Sequence, residues 1–180
     1  MQFEFERSVS ADGDDPWDVS SAGITVPSPR HACATVRAMF DTDEALSERI
    51  AAHRSVALDA DHLELYPLVI AASRAERAAI ARMLPSARDR TFTLREAIAL
   101  SRDPLAEVDD VADLALQMNV RRGRGMVDTA RKPRWSLSRT HPLDIPDAHT
   151  SSAVRHSAML ISARRHVRAL QWQLRHALTS

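Results

Sequence analysis

Cysteine, lysine and aromatic residues are scarce in this sequence, and each shortage excludes a class of protein. Cys33 is the only cysteine among 180 residues, so the chain can form neither an internal disulfide nor a zinc site built on several cysteines. Eight aromatic side chains are too few for a β-sandwich core, whereas the abundant alanine suits closely packed helices. Lys132 is the only lysine, so arginine carries almost all of the positive charge.

Targeting signals and long apolar runs are also missing. The N-terminal stretch MQFEFERSVSADGDD is acidic and has neither the basic nor the apolar region of a secretory signal. The longest apolar runs, such as LYPLVIAA, are too short to cross a bilayer. We therefore expect a soluble protein of the cytoplasm or of a virion, with no membrane contact.

Acidic residues are absent from the end of the chain, and this absence creates a charge asymmetry. The formal net charge is zero, but residues 1–110 carry 20 acids against 12 bases, and residues 111–180 carry 4 acids against 12 bases. No Asp or Glu lies between His149 and the C-terminus. Such a basic region favours contact with a polyanion, an acidic partner subunit or the acidic part of the same chain.

Four segments of different character follow one another along the chain. Residues 1–30 predict a short strand and an extended arm, and residues 31–118 predict a helical body. Residues 119–149 are rich in Gly, Pro and Arg and predict a basic linker or hairpin. Residues 150–180 predict a long amphipathic helix. The predicted fold is therefore mainly α, a single helical domain.

Local signals support individual elements of this prediction. Phe3 and Phe5 alternate with charged residues, which is typical of a half-buried strand, and Trp17 can anchor the polar arm that follows. Thr93 precedes an apolar run and Glu96 stands three residues later, which is the spacing of a capping box. We therefore expect a helix to begin directly after Thr93.

The terminal helix combines an apolar face with an arginine ridge, defined here as Arg164, Arg165, Arg168 and Arg175. At about 100° per residue, the apolar face contains Met159, Leu160, Ala163, Val167, Leu170, Leu174, Ala177 and Leu178. A weaker apolar strip beside Arg165 contains Val154, Ile161 and Trp172. The ridge has no acid on its own helix, so it is either solvated or paired with groups elsewhere.

The stretch RRGRGMVDTARKPRW supplies further candidate contacts for nucleic acid. Arginine on a glycine-rich backbone can follow a sugar-phosphate chain, and Trp135 can stack on a base, although a plain surface turn explains the glycines equally well. The predicted nucleic-acid-binding residues are Arg121, Arg122, Arg124, Arg131, Lys132, Arg134, Trp135, Arg164, Arg165, Arg168, Trp172 and Arg175.

The order of segments over about residues 75–138 resembles the layout of a winged helix, in which three helices precede a hairpin wing. The stretches AERAAIARML, TLREAIALS, LAEVDDVADLALQM and the basic sequence after them carry this resemblance, without a diagnostic motif. It implies duplex binding by the third helix. That helix region is acidic, which favours a protein contact over a major groove; its acids are Glu107, Asp109, Asp110 and Asp113.

Motifs of the common enzyme classes do not occur. The sequence has no phosphate-binding glycine loop, GxSxG, HExxH or CxxC pair. The best metal candidates are His141, Asp144, Asp147 and His149, but the prolines among them indicate an extended loop. His31 and Cys33 would point in different directions on a helix, which favours an isolated buried cysteine over a Cys–His pair. We expect no catalytic residue, metal or cofactor.

These patterns favour a non-enzymatic protein that binds nucleic acid or another polyanion within a larger assembly, of phage or ribonucleoprotein type. The alternative is a scaffold or adaptor subunit whose terminal helix contacts an acidic protein surface. A small metal-dependent hydrolase is the third hypothesis. The most informative observation is whether acids of the same chain neutralise the arginine ridge or leave it open to a partner.

Overall fold

A computed structural model describes residues 1–10, 17–103, 105, 107–123, 141–146 and 152–178 of the chain. The fold is mainly helical, as predicted. Its helices are α1 (Gln2–Ser10), α2 (Ala34–Ala38), α3 (Glu44–Ala52), α4 (Ala60–Leu65), α5 (Arg74–Met83), α6 (Leu94–Leu100), α7 (Val111–Arg121) and α8 (Ala153–Leu178), with a 3-10 helix over Pro85–Arg90. Strands β1 (Val69–Ala71) and β2 (Thr91–Thr93) pair in parallel.

The chain divides into two compact units. Unit 1 contains Met1–Leu58 and Asp147–Arg168, and unit 2 contains Asp59–Pro146 and Ala169–Ser180. Helix α8 contributes residues to both units. The division into four segments expected from the sequence stays a prediction.

The core of unit 1 forms around Phe40, Leu46 and Ile50, which are buried. Phe3 of α1 packs edge-on against Phe40, with ring centroids 6.4 Å apart. Asp43 caps α3 by accepting a hydrogen bond from the Leu46 amide. The apolar side chains of α1 and α3 therefore contribute to one core.

The N-terminal strand predicted from Phe3 and Phe5 is wrong, because these residues belong to helix α1. Alternation predicts a strand when the charged residues face water, but here Glu4 and Glu6 are buried and have arginine partners. Phe5 instead contacts Trp17, with ring centroids 5.5 Å apart. Long-range ion pairing thus overrides the local alternation.

Unit 2 contains a β-α-β arrangement of β1, α5 and β2. Val69 pairs with Thr91 and Ala71 with Thr93 in a parallel register. The sequence pattern indicated helix throughout this region and missed β1, since short apolar runs do not distinguish helix from strand. The parallel strands depart from the winged-helix layout, and the expected wing falls largely on residues 124–140, outside the described part.

Capping signals in unit 2 agree with the structure. The Thr93 side chain accepts a hydrogen bond from the Glu96 amide, while the Glu96 carboxylate accepts one from the Thr93 amide. This confirms the predicted capping box. Ser73 and Glu76 form a second capping box at the start of α5. Each box satisfies two backbone donors at the helix end where no intrahelical acceptor exists.

The predicted apolar face of α8 is largely confirmed. Ala163 and Val167 are buried in unit 1, and Leu170 and Leu174 are buried in unit 2. Leu160 is only half-buried. Two polar residues of this helix, His156 and Gln171, are also buried, which the apolar pattern did not predict.

Candidate interaction surface on the terminal helix

Arg164 and Arg168 of α8 both contact the carboxylate of Glu4 within unit 1. Arg164 Nε lies 2.8 Å from Glu4 Oε2, and Arg168 Nε donates a hydrogen bond to Glu4 Oε1. Only 3% of Glu4 is exposed. The two guanidinium groups are one helical turn apart and would repel each other without this anion. An acid of the same chain therefore neutralises part of the arginine ridge.

Neighbouring groups hold this ion-pair cluster in place. The Arg164 guanidinium carbon lies 5.6 Å from the centre of the Phe40 ring, within the range of a cation–π contact. Glu6, on the same helix as Glu4, pairs with Arg49 of α3 at 3.1 Å. Burial lowers the pKa of nearby His53, although the charge of Glu6 acts in the opposite direction. The acids of α1 thus bind arginines on two other helices.

Four exposed residues of α8 in unit 1 share one side of the helix, and we call Val154, Ala158, Ile161 and Arg165 the exposed stripe. Val154 is 79% exposed and Ile161 is 53% exposed. Their spacing of four, three and four residues places them within about 60° around the axis. The stripe therefore presents aliphatic side chains and one arginine together to solvent.

Trp172 and Arg175 lie in the part of α8 that belongs to unit 2. The Trp172 side chain is 68% exposed, and its ring stacks on His176 with centroids 5.4 Å apart and an interplanar angle of 8°. Arg175 is half-buried. The exposed indole offers an aromatic surface for a further ring.

Arg121 and Arg122, also predicted to contact nucleic acid, are engaged within unit 2. Arg121 donates to the carbonyl oxygens of Leu100, at 3.1 Å, and Asp103, at 2.8 Å. Arg122 donates to the carbonyl oxygen of Thr91 at 2.8 Å. These contacts connect the end of α7 to the segments around β2 and α6.

Arg122 also takes part in a partly buried charge cluster around Glu96. Its Nε lies 3.4 Å from Glu96 Oε1, and its guanidinium carbon lies 4.4 Å from the centre of the Phe92 ring. Arg77 donates to the other oxygen of the same carboxylate. Burial lowers the pKa of Arg122, while the negative charge of Glu96 raises it. Both arginines that pair with Glu96, Arg77 and Arg122, therefore belong to unit 2.

Several predicted contacts lie outside the described residues. They are Arg124, Arg131, Lys132, Arg134 and Trp135 of the basic linker, and Asp147 and His149 of the metal candidate. The other two metal candidates have protein partners: His141 Nδ1 accepts a hydrogen bond from the Leu143 amide, and Asp144 binds Arg74. Among the residues that the structure describes, no group of three or more metal-ligating side chains occurs.

A cavity in unit 1 contains residues that the sequence patterns did not connect. Its volume is about 520 Å³, and its wall includes Cys33, His31 and His53 beside the apolar side chains of Phe3 and Val36. Sequence spacing directed attention to His31 as the neighbour of Cys33. The structure instead places His156 Nε2 at 4.0 Å from the thiol sulfur.

Comparison with known proteins finds no matching family model, curated protein or solved structure. Within the described residues, no helix has the length and apolar character needed to cross a membrane.

Proposed function

We propose that this protein is a scaffold or adaptor subunit whose helix α8 binds an acidic protein surface. The exposed stripe of α8 is the observation that carries this proposal. Val154 and Ile161 expose most of their side chains beside Arg165, and arginine beside apolar side chains is a common composition at protein interfaces. Helices that bind in grooves place their contacts at such intervals of three and four residues.

The charge of α8 defines the chemistry of the partner. The helix contains no acidic residue, and Arg155 and Arg165 are exposed close to the aliphatic side chains. A complementary surface has an apolar groove for Val154 and Ile161 and carboxylates at its rim. Charge attraction would orient the partner, and burial of the aliphatic groups would supply most of the binding free energy.

The ion pairs of Arg164 and Arg168 with Glu4 favour protein binding over nucleic-acid binding. A phosphate that took over these arginines would leave the buried Glu4 carboxylate without them. Breaking a fully buried ion pair costs about 3–5 kcal/mol, and the partial exposure of both arginine side chains reduces this cost here. The two arginines therefore contribute little net affinity for phosphate while α1 is in place.

Nucleic-acid binding is the second candidate, and Trp172 is the observation that favours it. An exposed indole that is already stacked on His176 can receive an unpaired base, which is worth about 1–3 kcal/mol per base. This hypothesis also assigns nucleic-acid contacts to the basic linker, whose residues 124–135 lie outside the described part of the chain. It predicts binding to single-stranded oligonucleotides that weakens steeply with salt.

Differential capture separates the two candidates. Wild type, Ile161→Glu and Leu116→Glu are immobilised and exposed to nuclease-treated extract from the source cells. Leu116 is a matched control because it is an exposed apolar residue on α7, in unit 2, and does not belong to the stripe. We expect a discrete protein to be retained by wild type and Leu116→Glu and lost with Ile161→Glu.

Direct binding of the captured partner completes the test. The purified partner should bind Ile161→Glu at least about tenfold more weakly than wild type. In the variant, a charged group replaces an apolar one that the partner would bury. Equal affinity of all three proteins for the partner contradicts the proposal. Salt-sensitive binding of oligonucleotides that depends on Trp172, with no protein partner, supports the second candidate instead.

A further inference from the structure

Cys33 lies at the wall of the unit 1 cavity and is partly accessible to solvent. The residues that line this cavity include the apolar Phe3, Val26 and Val36 and the hydroxyl-bearing Ser55. A volume of about 520 Å³ falls within the range of small-molecule sites, about 300–1,000 Å³. The thiol is therefore next to a space that admits a small organic molecule.

The imidazole of His156 is placed to take the proton of this thiol. Its Nε2 lies 4.0 Å from Cys33 Sγ, and its ring is buried in the first turns of α8. Cys33 directly precedes α2, so two separate elements of unit 1 hold the two atoms. Cysteine reacts as a thiolate, and a base positioned beside the thiol can accept its proton when the sulfur attacks.

We propose that Cys33 is a thiol modification site, at which His156 acts as the base and the cavity admits low-molecular-weight disulfides. The proton of Sγ passes to His156 Nε2, and the thiolate attacks one sulfur of the disulfide. A new sulfur–sulfur bond forms as the original one breaks, and the departing thiolate takes up a proton. Cys33 is oxidised to a mixed disulfide while one half of the reagent is reduced to a thiol.

His31 provides a control within the same cavity. His31 lines the wall together with Cys33, but its Nδ1 interacts with the carbonyl oxygen of Ala51 at 3.2 Å. A general effect of imidazole groups near the thiol would involve His31 as well as His156. A specific proton transfer involves only His156, because that ring is the one in contact with Sγ.

The experiment follows the reaction of the full chain with oxidised glutathione at neutral pH by intact-mass spectrometry. We expect one glutathione on wild type and none on Cys33→Ser. The folded protein should react at least about tenfold faster than the same chain in urea. His156→Gln should lose most of this advantage, and His31→Gln should keep it.

Two further measurements make each outcome decisive. Thermal denaturation shows whether His156→Gln is folded, and added imidazole should restore the rate of a folded His156→Ala variant, which a purely structural role would not allow. If both His156 variants are unfolded, the comparison of folded with urea-unfolded wild type decides. Cys33 that reacts no faster in the folded chain, or equally fast in folded His156→Gln, overturns the proposal.

Discussion

Replacing Glu4 by Gln tests whether the acid of α1 stabilises unit 1 through the arginines of α8. The change keeps the size of the side chain and removes its charge. The hydrogen bond from Arg168 and the ion pair with Arg164 are both lost or weakened. Breaking a fully buried ion pair costs about 3–5 kcal/mol.

The exposure of the two arginines reduces this figure. The side chain of Arg164 is 26% exposed and that of Arg168 is 50% exposed, so both guanidinium groups can recover some hydration. A hydrogen bond to a charged group contributes about 1.5–3 kcal/mol. We therefore expect Glu4→Gln to lower the free energy of unfolding by about 2–3 kcal/mol, measured by urea denaturation with circular dichroism.

Glu6→Gln is the matched control, because it removes the same charge from the same helix. Glu6 pairs with Arg49, whose side chain is 59% exposed. Because the Arg49 side chain is mostly in solvent, this ion pair should contribute less than those of Glu4 and approach the value of about 0–1 kcal/mol for exposed pairs. A loss at Glu4 no greater than the loss at Glu6 would refute the view that Glu4 is the central anion of this cluster.

A double-mutant cycle with Arg164→Gln isolates the pairwise contribution. Residues in direct contact show coupling energies of about 0.5–3 kcal/mol. The cycle should therefore show coupling between Glu4 and Arg164 and none between Glu4 and Arg165, which is exposed on the stripe. Additive effects for the Glu4 and Arg164 changes would mean that the 2.8 Å contact contributes no stability.

Two further predictions concern unit 2. Leu170→Ala should cost about 2–5 kcal/mol in urea denaturation, because a fully buried leucine is truncated; a loss below about 0.5 kcal/mol would mean that this face of α8 is not packed. Asp144→Asn should destabilise unit 2 at neutral pH and lose its effect in acid. Burial alone would raise the pKa of Asp144, but hydrogen bonds from the backbone and side chain of Arg74 outweigh it and lower the pKa. A carboxyl of this kind stabilises the fold above its unfolded pKa near 3.8, and the contribution disappears as the pH falls through the folded value. An effect of equal size at both pH values would contradict this origin.

Local sequence patterns were sufficient for the helical class, for α8 and for the start of α6. The apolar spacing of Val167, Leu170 and Leu174 identifies the buried face of α8 because a helix repeats every 3.6 residues. Thr93 and Glu96 cap α6 through contacts three residues apart. In both cases the interacting groups are neighbours along the chain, so their spacing alone predicts the contact.

The N-terminal helix and the state of the arginine ridge were decided by tertiary structure. Glu4 and Arg168 are 164 positions apart, and nothing near either residue specifies the other. Charged residues in an alternating sequence are expected to face water, and this expectation predicted a strand at Phe3 and Phe5. Once the fold brings α1 to α8, the arginines compensate the buried carboxylate and the helix becomes compatible with the core.

The contact between Cys33 and His156 is another one that local sequence patterns could not predict. Sequence spacing compares Cys33 only with nearby residues such as His31, whereas its imidazole neighbour is 123 positions away. The sequence determined which groups are present and which local elements they enter. Only the folded chain determines which acid meets which base, because such a contact depends on the path of the backbone between them and leaves no periodic signal in the sequence.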